Sequence, residues 1–221
     1  MAEGIVQMTT SNWWWTAATA VSGLALGSAA SGLTRRFLRR ERARAGSWWL
    51  GAVVTAITFG LLGWRVGARG ELAVYGFVAV LSVPLALIDW CEHRLPRALI
   101  WPQMIGTLIG FAALCLARHD AAQGVRALAA MAAAGAFFLI LAVATGGSVG
   151  AGDVAAAGVV GLVTGWIGWP HVAGALIAAS VLTLAMLAVP GIGRRDGNGR
   201  LVVPFGPSLL GGTLIIVLVS G

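Results

Sequence analysis

Long apolar runs separated by short breaks dominate the chain: 13–33, 48–67, 72–90, 98–117, 127–146, 153–169, 171–190 and 205–220. About 20 mostly apolar residues in a helix cross the hydrocarbon of a bilayer. The pattern therefore predicts an all-α, polytopic membrane protein with about eight transmembrane helices. The sixth and eighth runs are short, and Pro84 interrupts the third. That proline removes a backbone donor and predicts a kink, either to admit water or as an ordinary packed proline of a membrane helix. No repeat is visible, and no stretch is long enough to form a separate soluble domain. Residues 1–221 read as a single transmembrane domain.

Composition narrows the class further. Of 221 residues, 58% are hydrophobic and 10% charged, where a soluble domain carries roughly a quarter charged residues. The formal net charge of +7 comes from 15 arginines with no lysine. They sit in the breaks and do not line a face interleaved with stacking aromatics, so they read as topology signals and lipid contacts, with no nucleic-acid partner expected. The break 34–47, "TRRFLRRERARAGS", holds six of them. If it is cytoplasmic, Arg94, Arg97, Arg194, Arg195 and Arg200 share its side, leaving Arg65, Arg69, Arg118 and Arg126 opposite. That bias predicts both termini outside and the breaks 91–97, 147–152 and 191–204 in the cytoplasm. No basic region precedes the first apolar run, so the N-terminus is not expected to be a secretory signal. Trp13–Trp15 and Trp48–Trp49 suit interfacial belts. Cys91 and Cys115 form no zinc-ribbon pattern and are expected to stand too far apart for a disulfide.

Most carboxylates fall in tails or open breaks, where a solvated role is the default. Asp89, Glu92 and Asp153 do not. Asp89 closes the run "VPLALID", Asp153 opens "DVAAAGVVGLV", and the topology puts both at the cytoplasmic edge of the hydrocarbon. Ionisable groups at that depth are expensive and face the bundle interior or water. Two at matching depth suggest a pair, the equipment of aspartic proteolysis: one carboxylate takes a proton from water while the other, protonated, polarises the peptide carbonyl. Helix ends predict an asymmetric pair, with the anion favoured at Asp153 on a helix N-terminus and disfavoured at Asp89 on a C-terminus. An N-cap is the plainer role for Asp153. Gly146, Gly147, Gly150 and Gly152 around it serve a shaped loop or close packing equally well. A metal site from Asp89, Glu92 and His93 competes with an ordinary loop, which Pro96 favours.

Four stretches, in order, carry a resemblance. Gly150-Ala151-Gly152-Asp153 fits the GxGD motif of polytopic aspartyl proteases, and its surroundings resemble the type IV prepilin peptidase family. "LIDWCEHRLPRALIWP" (87–102) looks like the family's first-aspartate segment, "VPFGPSLLGG" (203–212) like its Pro-Phe-Gly-Pro stretch at a late helix, and "GLALGS" (23–28) like its first-helix motif. The Tyr-Asp and Pro-Ala-Leu elements of other GxGD proteases do not occur.

The resemblance implies a bacterial inner-membrane aspartic endopeptidase that removes leader peptides from prepilins or pseudopilins at the cytoplasmic face. Asp89 and Asp153 would be catalytic, and Gly150 and Gly152 would form the active-site loop. Glu92, Pro204, Phe205, Gly206 and Pro207 are candidates to bind substrate, whose residue before the cut is typically glycine in the family. Many members carry a zinc-binding cysteine insertion between their first two helices and also methylate the new N-terminus. Here that interval is the cysteine-free break 34–47, so no metal or other cofactor is expected, and methylation stays open. Arg97 replaces the usual Asn of the Ile-Pro-Asn turn, and Ala155 a frequent basic residue. Two rivals remain: a non-enzymatic ion-binding carrier or degenerate homologue, and a broader intramembrane protease.

Overall fold

The computed structural model describes residues 13–37, 48–92, 94–146, 149–189, 194–195, 201–202 and 204–220. Eight helices account for nearly all of them: α1 (Trp13–Phe37), α2 (Trp48–Val66), α3 (Glu71–Glu92), α4 (Arg97–Arg118), α5 (Ala122–Ala144), α6 (Ala151–Ile167), α7 (Trp169–Ala188) and α8 (Gly206–Ser220). Between α7 and α8, β1 (Arg194–Arg195) and β2 (Leu201–Val202) form a two-residue antiparallel ladder in a break where no strand was expected.

Five helices are long and apolar enough to cross a membrane, α2 through α5 and α7. The other three differ in kind. α1 is 25 residues long, but its tryptophans, serines and glycines dilute its hydropathy. α6 and α8 have 17 and 15 residues, about 25 and 23 Å at 1.5 Å per residue.

Contacts divide the chain into two compact units, with the boundary inside α3 between Pro84 and Leu85. In the first, Gly23 and Gly27 of α1 lie one turn apart. A methyl group added there would come within 2.6 Å of Phe59 Cβ and 2.7 Å of Thr55 Cβ, so the missing side chains are what let α2 approach. The "GLALGS" stretch thus has a packing role.

In the second unit, Leu85–Ser220, α6 is central. Every residue from Ala156 to Trp166 is buried, and α6 touches α4, α5, α7 and α8. A helix walled by protein on all sides is apolar all round and need not match the bilayer in length. Its closest neighbour is α5. Gly161 and Gly165 face Ala127, Ala130 and Ala134, and an added methyl at Gly161 would lie 2.9 Å from the Ala130 carbonyl carbon. Phe111 of α4 stacks on Trp166, centroids 4.3 Å apart and planes within 6°. Gly212 of α8 lies against the α7 backbone, an added methyl falling 2.7 Å from Ala175 O. Phe138, Ala157, Val160, Ala175, Ala179 and Leu209 join α5, α6, α7 and α8 in one apolar core. Outward, Ile109, Leu116, Phe137, Ile140, Val143, Ile177 and Leu184 stay exposed, as lipid-facing residues do.

Helix α5 begins at Ala122, five residues before the apolar run suggests. The extra turn contains Arg126, whose charge marks a break in sequence. Its guanidinium instead donates to three carbonyls ending α6: Nε to Gly165 O (2.8 Å), and Nη2 to Trp166 O and Ile167 O (2.5 and 3.2 Å). A cation there satisfies carbonyls left without helical partners and complements the helix dipole.

Candidate functional site

Asp89 lies three residues before the end of α3 and is 5% exposed. Its Oδ2 accepts a hydrogen bond from Gly206 N–H at 2.9 Å. Gly206 is the first residue of α8, where backbone N–H groups have no helical partner and the dipole favours an anion. The sequence around it explains the fit. Pro207 lacks an N–H but stands in the first helical turn, where none is needed. Phe205 anchors the helix start on the core, 5.7 Å from the Phe138 ring. Gly206 itself has no side chain in the way, since an added methyl would lie 2.7 Å from Asp89 Oδ2.

Asp153 occupies the third position of α6 after the N-cap Gly150. Its Oδ2 accepts from Gly150 N–H at 3.2 Å, the half of a capping box that a glycine N-cap permits. Asp153 is therefore not the N-cap itself but holds the N-cap's amide, and this uses one oxygen. Among the described residues no donor reaches the second oxygen of either aspartate. The two sites adjoin through Leu95, whose side chain lies against Gly152, next to Asp153, and against Gly206, which holds Asp89.

Both aspartates therefore accept a backbone N–H at a helix start, a contact of Asp89 that an argument from its own helix leaves out. Asp89 is at the C-terminus of its own helix, but tertiary packing gives its carboxylate the N-terminus of α8. The N-terminus of a distant helix is invisible to an argument made along one strand of sequence.

Other expected residues fall around this pair. Gly150 has an ordinary extended backbone, φ −71°, and serves as cap and donor. An added methyl at Gly152 would fall 2.8 Å from Leu95 Cβ, so this glycine seats the first turn of α6 on the 94–96 segment. It is Gly146, ending α5, that takes the left-handed conformation, φ +64°. Glu92 pairs with Arg94 at 2.5 Å, its side chain 7% exposed, so its charge is already matched. Pro204 and Gly206 are buried, and Phe205 and Pro207 half-buried; as placed, Phe205 and Gly206 hold the aspartate's surroundings. Among the described residues no three His, Cys, Asp or Glu side chains cluster as metal ligands. His93, Gly147, Asp196 and Arg200 lie outside the described residues, as does the break from 38 to 47. Cys91 and Cys115 form no disulfide.

One residue of the site went unremarked in the sequence. Leu95, between Arg94 and Pro96, touches the starts of both α6 and α8. The available signal was an aliphatic side chain in a break otherwise made of Cys, Glu, His, Arg and Pro. Searches of protein families, of curated proteins and of solved structures return no match to this chain.

Proposed function

We propose that this protein is a membrane aspartic endopeptidase that removes the leader peptide from type IV prepilin-like precursors at the cytoplasmic face of a bacterial inner membrane. The observation that carries this reading is the pairing of Asp89 and Asp153. Each carboxylate is held by one oxygen on a backbone N–H, with its second oxygen given no donor by the described residues. Such a pair shares a proton, because like charges close together resist joint ionisation. The carboxylate takes a proton from water as the water oxygen attacks the scissile carbonyl carbon, and the carboxylic acid polarises that carbonyl. Collapse of the tetrahedral species breaks the C–N bond, and the departing amine takes a proton from the pair.

Orientation follows from the arginine bias, with eight spans and both termini outside. In that arrangement the short helices α6 and α8 begin at the cytoplasmic edge, where water and a bond just outside a substrate's own apolar helix can both reach the aspartates. A small residue before the cut suits backbone entry between two helix starts.

Purified protein in liposomes, incubated with a prepilin-like precursor from the same cell, tests the proposal, with Asp89→Asn and Asp153→Asn alongside and each variant checked for folding. Cleavage after the leader is expected in wild type and in neither variant. A product about 14 Da heavier than hydrolysis alone gives would add N-methylation, a methyl group replacing one hydrogen. Variants that cut like wild type would remove the pair. A wild type inert on every prepilin of its cell would favour the non-enzymatic reading, and cleavage of unrelated membrane segments without a leader would favour the broader protease.

A further inference from the structure

Three helices begin around one small apolar residue. α4 starts at Arg97, directly after the segment Arg94-Leu95-Pro96, and α6 and α8 start against that segment from other sides. Leu95 makes both contacts with opposite ends of its side chain. Its Cβ would stand 2.8 Å from a methyl group at Gly152, and its Cδ2 would stand 3.2 Å from one at Gly206. Gly152 immediately precedes Asp153, and Gly206 donates the hydrogen bond that holds Asp89. Both helix starts are therefore glycine where they meet the leucine, so its side chain approaches each backbone with no Cβ in the way. Leu95 also packs against the apolar core shared by α5 to α8, which keeps it from swinging aside.

We propose that Leu95 is a positioning residue: its side chain spaces the two helix starts that carry Asp153 and tether Asp89, and so sets the separation of the carboxylates. Its bearing on catalysis rests on the peptidase reading. Shortening the leucine leaves a gap that the helix starts close by moving together, as truncated sites partly collapse. Aspartates that hold water and a peptide carbonyl between them tolerate such a shift poorly, since about 1 Å of misplacement costs on the order of 100-fold in rate.

The test is a graded series: Leu95→Met keeps the reach, Leu95→Val loses the end that meets Gly206 but keeps a branched side chain, and Leu95→Ala keeps only the Cβ that seats Gly152. Two measurements run on each folded variant. The first is prepilin cleavage, read as kcat and KM separately. The second needs no turnover: titration by carbon-13 NMR of protein labelled at its aspartate carboxyls, Asp89, Asp120, Asp153 and Asp196, with the pair assigned through its Asn variants. Among the described residues, the other charged groups flanking Leu95 in sequence are Glu92 and Arg94, paired with one another, and Arg97 opening α4; α8 carries none. They are the same in every variant, so a change in the interval between the pair's two titration steps reports carboxylate separation.

Leu95→Met is expected to match wild type. Leu95→Ala should lower kcat about 100-fold with KM changed less than about threefold, and widen that interval, with Leu95→Val between. An interval and kcat unchanged in Leu95→Ala, or a Leu95→Met as impaired as Leu95→Ala, would overturn the inference while leaving the peptidase reading intact. If wild type cleaves no prepilin but the interval still follows the side chain at 95, the spacer stands and the peptidase reading falls.

Discussion

Asp153 and Gly206 show how little room the site leaves at single residues. Asp153 holds the amide of the N-cap Gly150 and is half of the proposed pair, and substitution separates the roles. An Asn side-chain oxygen can still accept from Gly150 N–H, so Asp153→Asn should unfold within about 1 kcal/mol of wild type while losing cleavage, a contrast read by thermal unfolding in detergent beside the peptidase assay. Gly206→Ala acts by shape. Its methyl would sit 2.7 Å from Asp89 Oδ2, and that oxygen is tethered to the same residue's N–H, so carboxylate or helix start must shift. A loss of about 1–3 kcal/mol is expected, typical of overpacking, with cleavage reduced more than stability alone explains. Gly135→Ala is the control. No atom lies within 4 Å of a methyl there, and the helix gains up to about 1 kcal/mol from the lower backbone entropy of alanine.

At the scale of elements, α6 is clamped at both ends. Its N-terminus carries Asp153 and rests on Leu95; its C-terminal carbonyls are collected by Arg126. Hydrogen bonds from a charged donor contribute about 1.5–3 kcal/mol each where half-buried, though sharing one guanidinium among three carbonyls makes the total less than their sum. Arg126→Met should therefore destabilise the second unit by about 2–4 kcal/mol. Arg126→Lys should restore only part, because an ammonium lacks the planar fork that spans adjacent carbonyls. Chemical unfolding of the two variants in matched detergent measures the difference. Arg126 was legible as a charge, and charge patterning assigned it to a break; the carbonyls that welcome it into α5 belong to another helix.

For the whole molecule, the orientation drawn from the arginines has a direct consequence. Ala98 and Ala121 are exposed and bracket α4, whose 22 residues extend about 33 Å. In a background without Cys91 and Cys115, a membrane-impermeant thiol reagent applied to intact spheroplasts should label Ala121→Cys at once and Ala98→Cys only after permeabilisation. The reverse pattern would invert the topology and put the aspartates outside. A cysteine placed in the break between α2 and α3, which holds Arg69 just after Arg65 in the last turn of α2, should label with Ala121→Cys.

Eight apolar runs became eight helices because backbone hydrogen bonds close within a helix, so their existence needs only local sequence. The candidate pair was likewise legible, since a carboxylate closing or opening an apolar run costs too much to be incidental. What the sequence could not contain is which helix start each carboxylate meets. Asp89 finds the amide of Gly206, 117 residues on, Leu95 lodges between two glycines from different helices, and Arg126 serves the far end of α6. Each is a contact between segments distant along the chain, where the partner is selected by packing. The glycines at 152 and 206 were visible all along, but only the fold decides that what fills the space beside them is Leu95 and the Asp89 carboxylate.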